Sequence, residues 1–141
     1  MPESFQFSVD FPVSPERAYR AWFDSYEHSR ITGKAAQISG TAGEAFTSLD
    51  GYVSGEVLVA TPFSHIVMNW KTSDYPPDAP ASRVDIRLEA TCLGSLLTLD
   101  QTGIPDGFTR QVMETWEKAY LRPLRDYFDE IVGDGPVDID G

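Results

Sequence analysis

The sequence predicts an α+β domain in which a curved antiparallel sheet of about six or seven strands wraps a long C-terminal helix. Residues 4–11 alternate apolar and polar side chains, as a half-buried strand does. Residues 37–103 form a run of short apolar segments separated by turn residues. Residues 108–131 carry one apolar stripe at helical spacing, and a helix of that length spans roughly 35 Å. Helices at the two ends of an antiparallel run are expected to cover one face of the sheet.

Two short helices are predicted directly after the first strand. Ser14 is a favoured N-cap residue, and Pro15 suits the first helical position. Asp24 breaks this helix and can cap a second one, which Gly33 would end.

The middle of the chain is predicted to form hairpins. Asp50-Gly51 is a two-residue turn signal, and the prolines of residues 72–82 exclude a strand there and favour a loop. The two strands that follow alternate most clearly, and the second points Leu97, Leu99 and Gln101 towards the core. Cys92 lies in this run, where a small buried thiol is expected.

The last helix should bury its stripe against the concave side of the sheet. The stripe consists of Met113, Trp116, Tyr120, Leu124, Tyr127 and Ile131. Pro123 lies inside the helix and should remove one backbone hydrogen bond and bend it. We expect one domain over residues 1–132 and a disordered acidic tail over residues 133–141.

The charge balance excludes several classes of partner. Acidic residues number 22 against 11 basic ones, for a formal net charge of −11. Nucleic acids and anionic lipid surfaces repel such a chain, so we expect no nucleic-acid partner. The sequence has no apolar run long enough for membrane insertion and no secretory signal, so a cytoplasmic location is expected. The lone cysteine allows no intramolecular disulfide.

Catalytic and metal-binding motifs are absent from the sequence. It contains no phosphate-binding glycine loop, no GxSxG and no HExxH. His28 and His65 are its only imidazoles, and nothing predicts that they meet carboxylates at a metal. We therefore predict no catalytic residue, no metal site and no cofactor.

A ligand cavity between the sheet and the last helix is the candidate site, since a curved sheet and a straight helix match imperfectly. Its predicted lining is Phe46, Met68, Trp70, Ile86, Leu99, Gln101, Met113, Trp116 and Tyr120. Gln101 is either hydrogen-bonded to Tyr120, Trp116 or backbone, or is a polar anchor for a ligand. The aromatic residues of this set are either core or cavity wall.

Five segments resemble one known family. They are SPERAYRAWFD at 14–24, HSRITG at 28–33, DGYVSGEVLVATPFSHIVMNW at 50–70, TLDQTGIP at 98–105 and WEKAYLRPLRDYF at 116–128. Together they resemble the C-terminal-like domain of the heat-shock protein 90 ATPase activators, in the START-like, helix-grip superfamily. The resemblance covers residues 5 to about 130 and implies the fold deduced above. The separate N-terminal domain of the full activators is not expected, because the first strand begins within a few residues of Met1.

Three functions follow as hypotheses. The leading one is non-enzymatic binding of a small hydrophobic or amphipathic molecule in the cavity. The first alternative, which the resemblance implies, is a stress-linked co-chaperone role that binds a heat-shock protein 90 chaperone and modulates its ATPase. The second alternative is a cyclase or hydrolase of the same fold, which would need a paired acid and base facing the cavity.

Overall fold

The computed structural model describes residues 3–133 and contains six strands, two short helices and a long C-terminal helix. The first half comprises β1 (Glu3–Phe11), α1 (Pro15–Phe23), α2 (Ser25–Thr32), β2 (Ala45–Ser48) and β3 (Val53–Thr61). The second half comprises β4 (His65–Thr72), β5 (Ser82–Thr91), β6 (Gly94–Ile104) and the C-terminal helix. That helix runs as α3 (Thr109–Thr115), a π-helical turn (Trp116–Leu121) and α4 (Arg122–Gly133). The disordered tail was expected over residues 133–141, but Gly133 is the last residue of the helix, and residues 134–141 lie outside the described residues.

The six strands form one antiparallel sheet in the order β1-β6-β5-β4-β3-β2. The α+β class and the helix-grip arrangement predicted from the sequence are therefore confirmed. Strand β2 lies at one edge, and Gln37 pairs with its Thr47 through two backbone hydrogen bonds of 2.9 Å. The sheet edge on this side is thus partly closed by a residue that belongs to no strand.

The predicted caps determine where the first two helices begin and end. Ser14 Oγ accepts a hydrogen bond from the backbone N–H of Arg17, and Asp24 Oδ1 accepts one from that of Glu27. Gly33 ends α2 in the left-handed conformation, with φ of 77°. Local sequence therefore predicted both helices correctly.

The buried stripe of the C-terminal helix differs from the prediction in part. Trp116, Tyr120 and Leu124 are buried as expected, but Met113, Tyr127 and Ile131 are only half-buried. The positions at the centre of the interface are instead Val112, Trp116, Tyr120, Leu124 and Phe128. These residues follow one another at a constant step of four. In a regular α-helix a step of four overshoots a full turn by about 40°, so such a stripe would wind around the helix.

The π-helical turn lies within this stripe and adjoins Pro123. The backbone N–H of Arg122 bonds to the carbonyl of Glu117, five residues earlier, instead of the usual four. Pro123 has no N–H, and its ring would clash with the carbonyl one turn before it in a regular helix. The wider turn relieves that clash and keeps the residues on either side of it on the same face.

One turn also corrects the sequence analysis. Strands β5 and β6 are joined at Cys92-Leu93, with Thr91 paired to Gly94. Cys92 is exposed and not a buried thiol, because it occupies the tip of a two-residue hairpin. Within the described residues, no helix has the length and apolar character needed to cross a membrane.

Candidate functional site

Eight of the nine residues predicted to line a cavity meet between the sheet and the C-terminal helix. These eight are buried, with 0–3% of their surface exposed, whereas Met113 is half-buried and is not part of the core cluster. The sheet contributes Phe46 from β2, Met68 and Trp70 from β4, Ile86 from β5, and Leu99 and Gln101 from β6. The helix contributes Trp116 and Tyr120.

Three indole rings form a stack through the centre of this region. Trp116 lies between Trp22 of α1 and Trp70 of β4, at ring-centroid distances of 5.7 Å and 5.8 Å. The interplanar angles are 21° and 23°, so the rings are nearly parallel. The stack bridges from the first helix through the last helix to the sheet and fills the interior.

Gln101 bonds to one of these rings. The indole Nε1–H of Trp116 donates to Gln101 Oε1 at 2.7 Å, which confirms one of the partners that the sequence predicted. Three other donors in the same region have no hydrogen-bond partner among the described residues: Trp22 Nε1, Trp70 Nε1 and Gln101 Nε2. Buried donors without acceptors are uncommon, because each costs about 1–3 kcal/mol.

A glycine in the sheet makes room for the aromatic side chains. Gly55 of β3 lies between Phe46 of β2 and Trp70 of β4 in the cross-strand register. A Cβ atom at this position would lie 2.0 Å from the carbonyl oxygen of Asn69 and 2.9 Å from the Phe46 ring. Close approach of the β4 backbone therefore requires glycine here.

A buried hydrogen-bonded chain next to the stack was not predicted. Tyr120 Oη donates to Ser48 Oγ at 2.9 Å, and Ser48 Oγ lies 2.9 Å from His28 Nε2. His28 Nδ1 lies 2.9 Å from the carbonyl oxygen of Trp22, which can only accept. The imidazole is therefore protonated on Nδ1, and Nε2 accepts a hydrogen bond from the Ser48 hydroxyl.

Burial determines the charge state of this chain. Burial lowers the pKa of His28, against the smaller opposing effect of its bond to the Trp22 carbonyl, so the imidazole is held neutral. Burial likewise raises the pKa of Tyr120, which therefore stays protonated. A serine bonded to a neutral imidazole is the arrangement of an activated nucleophile. Here Ser48 is only 1% exposed and His28 only 2%, so the chain holds α2, β2 and the C-terminal helix together.

Sequence reasoning missed this chain because its members are far apart along the polypeptide. His28 and Ser48 are 20 residues apart, and Ser48 and Tyr120 are 72 apart. One signal was available: Asp24 was predicted to end the first helix and cap the second, and Trp22 and His28 lie on either side of this break, 6 residues apart.

The interior is almost completely filled. The cavity between the sheet, α1 and the C-terminal helix has a volume of about 20 Å³, and one water molecule needs roughly 10–15 Å³. Trp22, Ile86 and Trp116 are among the residues that line it. Tyr19 is the one titratable side chain in that lining, so the cavity offers no acid and base pair for catalysis. The described residues also contain no group of three His, Cys, Asp or Glu side chains that could hold a metal ion.

Comparison with known proteins agrees with this architecture. Residues 12–129 match the family model described as Activator of Hsp90 ATPase homolog 1-like protein. The human protein named Activator of 90 kDa heat shock protein ATPase homolog 1 is 25% identical over 118 residues. That stretch covers 84% of this chain but 35% of the human protein, so the chain spans about a third of the length of its curated relatives.

Solved structures show the same fold. A crystal structure of an Hsp90 activator from Plasmodium falciparum superposes with a TM-score of 0.80 at 24% identity, covering 92% of this chain and 96% of that one. The solution structure of the Aha1 dimer from Colwellia psychrerythraea has a TM-score of 0.77 at 14% identity, covering 94% of this chain and 99% of that one. At these identities the likeness establishes the fold alone. The family match covers most of the chain, and the protein belongs to the Activator of Hsp90 ATPase homolog 1-like family.

Proposed function

We propose that this protein binds a 90 kDa heat-shock chaperone through its outer surface and modulates the chaperone's ATPase. The observation that carries the proposal is the filled interior: about 20 Å³ lies between the sheet and the C-terminal helix. Sites for small molecules usually enclose roughly 300–1,000 Å³. A domain without such a space is suited to act through its surface. The cytoplasmic location expected from the sequence remains part of the proposal.

Two relatives support the choice of partner. The human relative is named as an activator of a 90 kDa heat-shock protein ATPase, and the Plasmodium structure is described as an Hsp90 activator. This chain corresponds to a third of the human protein, so the proposal concerns binding and modulation by this part alone.

The charge of the domain predicts the character of the contact. With a formal net charge of −11, the domain should meet a positively charged surface of its partner. Association should then be fast at low salt and weaken as ionic strength rises, because salt screens charges beyond about 10 Å at 0.1 M.

The test is a titration of a purified Hsp90 chaperone with the domain, following ATP turnover at low and moderate salt. We expect a saturable change in turnover whose midpoint shifts to higher domain concentration with salt. The Gly55→Ala variant is the matched control, since it keeps the net charge but should not fold. An unchanged turnover at saturating domain, or an equal effect from the unfolded variant, would overturn the proposal.

The second candidate is the binding of a small hydrophobic or amphipathic molecule at the residues predicted from the sequence. It is favoured by the unpaired donors Trp22 Nε1, Trp70 Nε1 and Gln101 Nε2, which a ligand carrying acceptor atoms would satisfy. Such a ligand would have to displace part of the indole stack, because the existing cavity is too small to hold it.

Tryptophan fluorescence tests this second candidate directly. The stack contains all three tryptophans of the chain. A ligand that enters between the rings should therefore change the tryptophan fluorescence of the protein. A panel of fatty acids and aromatic metabolites should give a saturable change with at least one member. A panel without any saturable change would remove ligand binding from consideration.

A further inference from the structure

A polar pocket lies on the outside of the domain, and its lining includes Tyr75, whose ring packs edge-on against Trp70 at a centroid distance of 6.3 Å. It is formed by the β2–β3 turn, the end of β4 and the proline-containing loop over residues 73–81, and its volume is about 320 Å³. Its lining includes Ser54, Lys71, Ser73, Pro76 and Pro77. This volume is within the range of small-molecule sites, roughly 300–1,000 Å³.

Lys71 is the one positively charged side chain in the lining of this pocket. It makes no ion pair with any residue between 3 and 133, although carboxylates outnumber basic groups two to one in the chain. The carboxylate of Asp74, three residues away, is engaged elsewhere. It accepts hydrogen bonds from Tyr52 Oη at 2.7 Å and from Gln111 Nε2 at 3.0 Å.

Two hydroxyl groups are available beside this charge. Ser54 is the cross-strand partner of Lys71, so the two side chains project from the same face of the sheet. Ser73 directly follows β4 and also lines the pocket. Neither Ser54 Oγ nor Ser73 Oγ has a hydrogen-bond partner in the part of the chain that the structure describes, so both can donate to an acceptor in the pocket.

Two prolines give the pocket an apolar part, and the loop that carries them is held in place. Pro76 and Pro77 have fixed φ angles, and they follow Tyr75, whose ring is buried. Tyr75 Oη lies 2.8 Å from Ser82 Oγ, and its ring packs edge-on against Phe108 at a centroid distance of 5.6 Å. Since the loop is anchored at Tyr75 and Asp74, little ordering is needed when a ligand binds.

We propose that this pocket binds a small molecule or side chain that carries a carboxylate on a compact apolar body. The carboxylate pairs with the Lys71 ammonium group and accepts hydrogen bonds from Ser54 and Ser73. The apolar body packs against Pro76 and Pro77. This site does not depend on the chaperone proposal.

Amide chemical shifts of the whole chain, titrated with benzoate, test the proposal. We expect saturable shifts at the pocket residues, including Gly51, Ser54 and Ala79, with millimolar affinity. Benzamide has the same ring without the charge, and inorganic phosphate has the charge without the ring. Benzamide should bind at least roughly tenfold more weakly than benzoate, since a hydrogen bond to a charged group contributes about 1.5–3 kcal/mol. Phosphate should also bind more weakly, because it has no apolar surface to pack against Pro76 and Pro77.

Two variants locate the contact. Lys71→Gln should weaken benzoate binding by about tenfold or more, whereas Lys34→Gln, which removes an exposed charge near the end of α2, should leave it unchanged. Equal binding of benzoate and benzamide, equal binding of benzoate and phosphate, or unchanged binding to the Lys71 variant would each overturn the proposal. Shifts spread over the whole surface without saturation would overturn it as well.

Discussion

The indole N–H of Trp116 and the side-chain oxygen of Gln101 are joined by a 2.7 Å hydrogen bond across the interface between the C-terminal helix and the sheet. Both residues are fully buried, with 1% and 0% of their surface exposed. Among the described residues this is the one hydrogen bond made by an indole N–H of the stack, because those of Trp22 and Trp70 have no partner.

Loss of the Gln101 side chain should destabilise the fold strongly. Gln101→Ala leaves the Trp116 donor unpaired and opens a cavity, and we expect the free energy of unfolding to fall by at least about 2 kcal/mol. Gln6 offers a matched control, because its Nε2 donates to Asp100 Oδ1 at 2.8 Å on the exposed face. Gln6→Ala should cost less than about 0.5 kcal/mol. Urea unfolding of both variants measures the difference, and equal losses would contradict this view of Gln101.

Ser48 should matter more than Tyr120 in the buried chain that joins them to His28. Ser48→Ala leaves both the Tyr120 hydroxyl and His28 Nε2 without partners, at about 1–3 kcal/mol for each group. Tyr120→Phe removes a donor and its bond while the Ser48–His28 bond survives, at about 0.5–1.5 kcal/mol. Urea unfolding of the two single variants and the double variant gives the order and the coupling. A larger loss for Tyr120→Phe than for Ser48→Ala would show that the chain is not connected as described.

His28 should make the fold less stable as pH falls. Burial lowers the pKa of His28 in the folded state, whereas in the unfolded chain this pKa is near 6.5. Below pH 6.5 the unfolded state therefore binds a proton at His28 that the folded state does not bind. The stability present above about pH 6.5 is then lost as pH drops towards the folded pKa, by at most about 1.4 kcal/mol per pH unit. The facing titratable group, Tyr120, stays neutral over this range because burial raises its pKa.

Unfolding measured at several pH values between 6.5 and 5 checks this dependence. His28→Gln is expected to be less stable at every pH but to lose most of the slope. A slope that is identical in the wild type and in His28→Gln would show that another group is responsible.

Gly55 and Gly33 should each be hard to replace, Gly55 for a steric reason and Gly33 for a conformational one. Gly55→Ala would place a Cβ 2.0 Å from the Asn69 carbonyl oxygen, so we expect a loss above about 3 kcal/mol or failure to fold. Gly33 has φ of 77°, but a Cβ added there would meet no atom within 4 Å. Gly33→Ala should therefore cost only the left-handed strain of about 1–2 kcal/mol. Circular dichroism and thermal unfolding distinguish the two, and a cooperative, wild-type-like transition for Gly55→Ala would contradict the proposed clash.

The elements that sequence predicted well are those controlled by neighbouring residues. Ser14, Asp24 and Gly33 cap their helices through contacts within four residues, and period-two alternation placed Leu97, Leu99 and Gln101 on the buried face. The interior stripe of the last helix was predicted only in part. Whether Pro123 bends a helix or widens it depends on tertiary packing, which decides whether Val112 and Phe128 or Met113 and Tyr127 face the sheet.

In the candidate site, too, local features were predicted from the sequence and tertiary packing was not. Periodicity identified the faces that meet, and hence most of the buried residues, because each face is a local property of its own strand or helix. Periodicity did not predict how completely side chains from different elements fill the space between them. That filling depends on Trp22 of α1, which packs against Trp116 and completes the stack. The pairing of His28 with Ser48 likewise depends on the path of the chain between them.

The bridge between Gln37 and Thr47 has a consequence for assembly. It occupies outward backbone groups on β2, so β1 is the edge of the described sheet where a further strand would most readily pair. Endless head-to-tail growth requires two different edges that fit one another, whereas a single available edge can only pair with its own copy. Association through the β1 edge should therefore give a symmetric pair of chains and not an open series.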